Sequence, residues 1–173
     1  MVAPGLTPEQ LAEVFIHEFV HYKDLETIKN HMEAISQVSK IKILPAKECL
    51  KKNPIEYCVE TYGTQSVWFN IIALFYMEYR AFRTQILARN EGLKTNIIEI
   101  NANGRSMELD LEILPTYLNE AYFKPKLGVA LGLEVLNGLA KMVDSYPDLW
   151  SLYQSYFPEL KSISNSLTLS GVR

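Results

Sequence analysis

Val14-Phe15-Ile16-His17-Glu18-Phe19-Val20-His21-Tyr22 decides how the rest of the chain is read. It contains H-E-x-x-H. On a helix, residues four apart share one face, about 6 Å apart along the axis. Two imidazoles so placed can hold one zinc ion, and the Glu between them turns toward a water that the ion activates. The surrounding residues are apolar, and an unpaired polar group among them is costly. A buried His-Glu-His cluster needs a partner, which a metal ion supplies. The plainer reading leaves His17 and His21 on a helix face with Glu18 in solvent. Two of the chain's three histidines fall in the motif.

Outward from the motif, the helix has a marked start. Thr7 can cap it, Pro8 suits the first helical position, and Gln10 completes a capping box. Glu9 favours the positive end of the dipole. No Gly or Pro interrupts the run as far as Val38. Leu11, Val14, Phe15, Leu25, Ile28, Met32, Ile35 and Val38 form the expected apolar stripe, with His17, His21 and Asp24 close to one line on it. That continuity bears on the third ligand. Asp24 lies about 10.5 Å from His17 along a straight helix, and His31 roughly 21 Å away. Asp24 reads equally as an acceptor behind His21 or as a surface charge.

Residues 39–66 read as irregular, with a short helix near 46–52, and contain Glu56 and Glu60. Cys49 and Cys58 can form a disulfide or stay as two buried thiols; their spacing is not that of a zinc knuckle. A second strong helix is expected from Thr64 to Asn90, stopped by Gly92. Its stripe is Val67, Ile71, Leu74, Phe75, Glu78, Phe82 and Gln85. Glu78 is the odd member, a carboxylate on an apolar face, to be stabilised by a zinc ion or by Arg80 or Arg83. Asn96–Asn101 and Met107–Ile113 read as strands about an Asn103-Gly104 turn, with a helix from Ser106 as the competitor. A third helix spans Lys126–Asp144, its glycines allowing close packing. Pro147 and Pro158 start two short helices whose Trp150, Tyr153, Tyr156 and Phe157 belong to the core. The tail after Ser162 is Ser-rich.

The motif resembles that of the zincin metallopeptidases, whose extended signature has Val or Thr three residues before the first His and uncharged residues around the pair. Val14, Phe15, Phe19, Val20 and Tyr22 match, while Lys23 stands where the signature has an apolar residue. The likeness is narrower at Glu78-Tyr79-Arg80-Ala81, which is similar to the E-x-x-A context of the third ligand in gluzincins and follows His21 by 57 residues. The resemblance implies one zinc ion per chain held by His17, His21 and Glu78, with Glu56 or Glu60 as substitutes for the last. It also implies Glu18 as general base and peptide or protein substrates. Phe82 stands where thermolysin-like members carry an Asp, so that supporting carboxylate is not carried over. The metzincin arrangement, with a Gly turn and a third His, is absent.

The expected fold is mainly α, or α+β with a small β-hairpin. It has a zincin-like active-site helix, a second ligand-bearing helix, and a minimal or missing N-terminal sheet. With 173 residues, 48% hydrophobic and 21% charged, a single catalytic-type domain over 1–173 is expected, on its own or within a longer protein. A net charge of −3 without a basic cluster argues against nucleic acid. The longest apolar run, Val67–Met77, is too short to span a bilayer, and no signal peptide is visible. The expectation is a soluble protein of open localisation. A non-peptide zinc hydrolase and a non-enzymatic helical interaction module are the alternatives to a peptidase.

Overall fold

The computed structural model describes residues 7–38, 41–93, 98–102, 105–146 and 148–158. Side chains of 30–38 and of several hairpin residues, His31 among them, lie outside that description. Four helices come first: α1 (Pro8–Val38), α2 (Ile43–Leu50), α3 (Ile55–Tyr62) and α4 (Thr64–Leu93). An antiparallel pair follows, β1 (Ile98–Ala102) and β2 (Arg105–Leu109), in the register Ile98↔Leu109 and Ile100↔Met107. The Asn103-Gly104 turn itself falls outside the described residues. α5 (Leu114–Leu118) runs through a single π-helical stretch (Asn119–Phe123) into α6 (Lys124–Leu127). Then come α7 (Leu133–Ser145) and α8 (Leu149–Tyr156). The mainly α class is the one expected, and the hairpin is its β component.

α4 is the axis of the fold. Its Val67, Phe69, Ile71, Ile72, Phe75 and Ile86 are buried on several sides, because α1, α2, α3, α5, α7 and α8 all pack on it. A helix apolar over most of its circumference belongs inside. Tyr153 of α8 packs edge-on to Phe69 and donates to the Gln65 carbonyl at 2.7 Å. Trp150, Tyr156 and Phe157 lie against the same core. Asn70, buried on α4, donates to the carbonyls of Ile43 at 2.9 Å and Ser66 at 2.8 Å, which fixes the start of α2.

The capping box forms as expected: Gln10 N donates to Thr7 Oγ1 and Thr7 N donates to Gln10 Oε1. The apolar stripe of α1 needs correction. Val14, Phe15 and Leu25 are exposed, Phe15 at 62%. The buried face of α1 is largely polar, with Glu13, Asp24 and Ile28 turned to α4. Ion pairs set this rotation: Glu13 with Arg89, and Asp24 with Arg80 at 2.9 Å. Of the remaining stripe members, Leu11 is half-buried, and Met32, Ile35 and Val38 lie where side chains are not described.

Three further segments differ from the sequence reading. Residues 39–66 hold two helices, not irregular chain with one helix near 46–52. Ile43, Ala46, Cys49 and Leu50 give α2 its buried stripe, and Pro54 begins α3. The helix expected over 126–144 is interrupted. Gly128 takes a left-handed φ of 63°, 129–132 carry no regular structure, and helix resumes at Leu133. The second strand stops at Leu109, because the Asp110 carboxylate accepts from Glu112 N and Ile113 N and turns the chain into α5. A helix beginning at Pro158 and the Ser-rich tail fall outside the described residues.

Cys49 and Cys58 form a disulfide that ties α2 to α3. Closing so short a loop stabilises by about 2–3 kcal/mol in the chain-entropy account. A Cys49→Ala/Cys58→Ala variant is expected to lose about that much in urea unfolding. Native unreduced protein should show no thiol to Ellman's reagent, and two reactive thiols would contradict the pairing. Asn70→Ala strips donors from two buried carbonyls and is expected to cost about 1–3 kcal/mol in the same assay.

Candidate metal centre

α1 and α4 run antiparallel, so His17 and His21 meet the middle of α4. The His17 ring packs on Phe82 with centroids 4.4 Å apart, and one turn earlier on α4 stands Glu78. Three ligand atoms converge there. His17 Nε2 and His21 Nε2 are 3.0 Å apart. Glu78 Oε2 lies 3.4 Å from His21 Nε2 and 3.7 Å from His17 Nε2. Two ligands at the tetrahedral angle about zinc, with bonds of 2.0–2.2 Å, stand roughly 3.3–3.6 Å apart. The sides of the triangle, 3.0, 3.4 and 3.7 Å, fall below, within and above that range, and no fourth His, Cys, Asp or Glu closes it among the described residues. Glu78 Oε2 is buried, and among the described residues its polar neighbours are the two imidazole nitrogens, neither in well-formed hydrogen-bond geometry. A buried carboxylate oxygen left unmatched between two imidazole nitrogens fits a cation, so the donor set passes the test that zinc would pose.

Charge follows the same geometry. Burial pushes the His17 pKa down, and neighbouring His21 adds to this. His21 is raised, first by the Glu78 carboxylate beside it, against the effect of burial. Burial pushes Glu78 up, but His21, Lys126 and His17 outweigh it and hold the carboxyl below its ordinary value. Lys126 of α6 contacts Glu78 Oε1 at 3.4 Å. The other carboxylate oxygen is thereby left for the histidine side.

Glu18 is exposed, on the adjoining face of α1, and makes no hydrogen bond or ion pair among the described residues. Its charge still acts on both histidines. Asp24 is buried, so it is not a surface charge. It bonds Arg80, which also contacts Tyr76. It makes no hydrogen bond to His21: His21 Nδ1 and Asp24 Oδ2 are both buried without partners. Glu56 and Glu60 stand exposed on α3, outside the cluster. Arg83 pairs with Asp144 at 2.8 Å rather than with Glu78.

Tyr117, Tyr122 and Lys126 complete the surroundings, and none was distinguished by sequence. Both tyrosine rings pack on Phe82, and Lys126 Nζ sits 4.2 Å from the centre of the Tyr122 ring. Burial raises the Tyr122 pKa strongly, and the carboxylates of Glu78 and Glu18 add to it. Its hydroxyl therefore stays protonated at neutral pH and is a donor beside the cluster. The π-helical stretch brings Tyr122 here, since an extra residue in the turn shifts the helix face. The spacing of five between the tyrosines is the only sequence trace of it.

No family of known proteins, no curated protein and no solved structure matches the chain, so the metal-binding geometry stands on the residues themselves.

Proposed function

We propose that this chain is a zinc-dependent hydrolase that cleaves peptide bonds. The observation that carries the reading is Glu78: a carboxylate on the most buried helix, delivered to the two histidines of an H-E-x-x-H motif. Zinc held by His17, His21 and Glu78 would supply a Lewis acid and an acidified water. Glu18 is the free carboxylate beside the cluster and serves as general base, taking the water's proton and passing it to the leaving amine. Tyr122, kept protonated, donates to the oxygen on which charge develops. Lys126 keeps Glu78 ionised.

Hydrolysis of a non-peptide carbonyl compound is the second reading. It is favoured by the surroundings of the cluster, which are the helices α1, α4 and α6. Helices spend their backbone groups internally and offer none to an extended peptide. The Cys49–Cys58 disulfide favours an oxidising compartment as the place of work. No helix among the described residues is long and apolar enough to cross a membrane.

Elemental mass spectrometry of the purified chain should find about one zinc per molecule, lost in His17→Ala and in Glu78→Ala. Glu18→Gln should keep the zinc while hydrolysis falls by about 10²–10⁴. A parent that holds no zinc even after reconstitution would sink the reading in favour of a non-enzymatic helical module. A panel of peptides and acyl esters then separates the two hydrolase readings.

Stability should report the same site through pH. His21 is raised, so in metal-free protein its contribution is full below about pH 6.5 and is lost as pH rises through the folded value. Glu78 is lowered, so its contribution is full above about pH 4.3 and is lost as pH falls through the folded value. The metal-free pair is thus strongest between those limits. Zinc must displace the histidine proton, so the difference in Tm between loaded and metal-free protein should widen from pH 5 to pH 7.5. A difference that stays flat in differential scanning fluorimetry would rule out these histidines as ligands.

A further inference from the structure

Beside the metal centre, and not part of it, lies a groove of about 800 Å³. That size suits a small molecule, not a single ordered water. Its floor is the partly exposed Ala73, Leu74 and Met77 of α4, and Leu25 and Ile28 of α1 form one side. Lys47 of α2, Lys51 just past its end, and Lys124 and Lys126 of α6 also line it, all exposed. Among the described residues no acidic side chain lines it. The groove is therefore apolar below and cationic at the rim, on a chain whose net charge is −3. Gly128, just past α6, has the Leu50 carbonyl near its would-be Cβ, so the two lysine pairs come from neighbouring helix ends.

We propose that this groove binds an anionic amphiphile, a single alkyl chain ending in a carboxylate. The chain lies on Leu74, Met77 and Leu25, and the carboxylate is held among the four lysines. Charge complementarity selects the anionic head. Three of the lysines have carboxylate neighbours: Lys51 with Glu48, Lys124 with Glu120, and Lys126 with Glu78. Lys47 has no ion pair among the described residues, and the exposed Lys51 and Lys124 pairs are cheap to rearrange. The backbone selects against an extended peptide. The long walls come from α1 and α4, whose mid-helix N–H and C=O groups are bonded within the helices, and the Asn70 amide N–H groups are already committed to Ile43 and Ser66. An alkyl chain needs no such partners. Leu25 and Leu74 each stand one helical turn from a cluster residue, His21 and Glu78, so the groove opens toward the metal centre. Binding stands whether or not that centre turns over.

The test is calorimetric titration of the full chain, below micelle concentration, with dodecanoate, a neutral dodecyl maltoside and dodecyltrimethylammonium. Dodecanoate should bind one to one, with the neutral and cationic amphiphiles weaker by about tenfold or more. Lys47→Glu/Lys51→Glu, at two exposed sites that leave the fold alone, should weaken dodecanoate by a similar factor. Ala73→Trp, which fills the floor, should abolish binding without changing zinc content or the circular dichroism spectrum. Equal affinity for all three amphiphiles would overturn the proposal, as would acetate binding as well as dodecanoate. Sedimentation with phosphatidylglycerol vesicles without any binding of monomeric dodecanoate would overturn it too, making the face a membrane contact.

Discussion

A single carboxylate in the wrong solvent organises this protein. Glu78 sits on α4, which α1, α2, α3, α5, α7 and α8 cover, and α4 itself offers its Oε2 no hydrogen-bond donor. An ionised carboxylate in such a place must be matched or must neutralise. The protein matches it from two directions, with Lys126 on one oxygen and the two imidazoles of α1 on the other. Those contacts require α1 to lie antiparallel on α4 with its polar line inward. The ion pairs of Glu13 with Arg89 and Asp24 with Arg80 hold the same rotation on either side of the histidines.

This arrangement explains the odd surface of α1. Turning His17, His21 and Asp24 inward leaves Val14, Phe15, Phe19, Tyr22 and Leu25 outside. A helix chosen for burial alone would sit the other way round. The apolar face is thus a consequence of the polar cluster. Glu18 is carried out with it, beside the cluster yet free of partners. On the proposed hydrolase reading, that is the position a general base needs: beside the cluster and uncommitted to a salt bridge.

The sequence made the motif helix, the buried character of α4 and the hairpin legible, because each rests on local signals. The capping box at Thr7, the glycine-free run and the apolar periodicity about Phe75 are written in neighbouring residues. Glu78 was legible for a similar reason, as a charge where the periodicity demands an apolar side chain. The rotation of α1 was not, since periodicity alone takes Val14 and Phe15 inward, and only the distant Arg80 and Arg89 reverse it. The break at Gly128 depends on a left-handed φ that a glycine permits but does not require. Tyr122 depends on a π-helical turn and on the seating of α6 over α4, and neither is a local property. The acceptor role for Asp24 was half legible: its burial and its salt bridge are there, but the bond to His21 is not.

The α1–α4 interface is poor in apolar contact at its centre, and this has a thermodynamic consequence. Burying two imidazoles, two carboxylates and their arginines yields little net stability, since desolvation offsets most of the Coulomb attraction. What would make this seam strong is an ion that binds the assembled triangle and not the separated helices. Any such ligand stabilises the docked state by linkage. With such an ion, the seating of α1 and the loading of the centre would be one equilibrium: α1 would order the histidines for the metal, and the metal would hold α1 against Glu78. The groove shares a wall with that seam through Leu25 and Ile28, so its shape rests on the same docking. A molecule lying in it would bear on α1 one turn from His21, which couples whatever fills the groove to the centre through a single helix face.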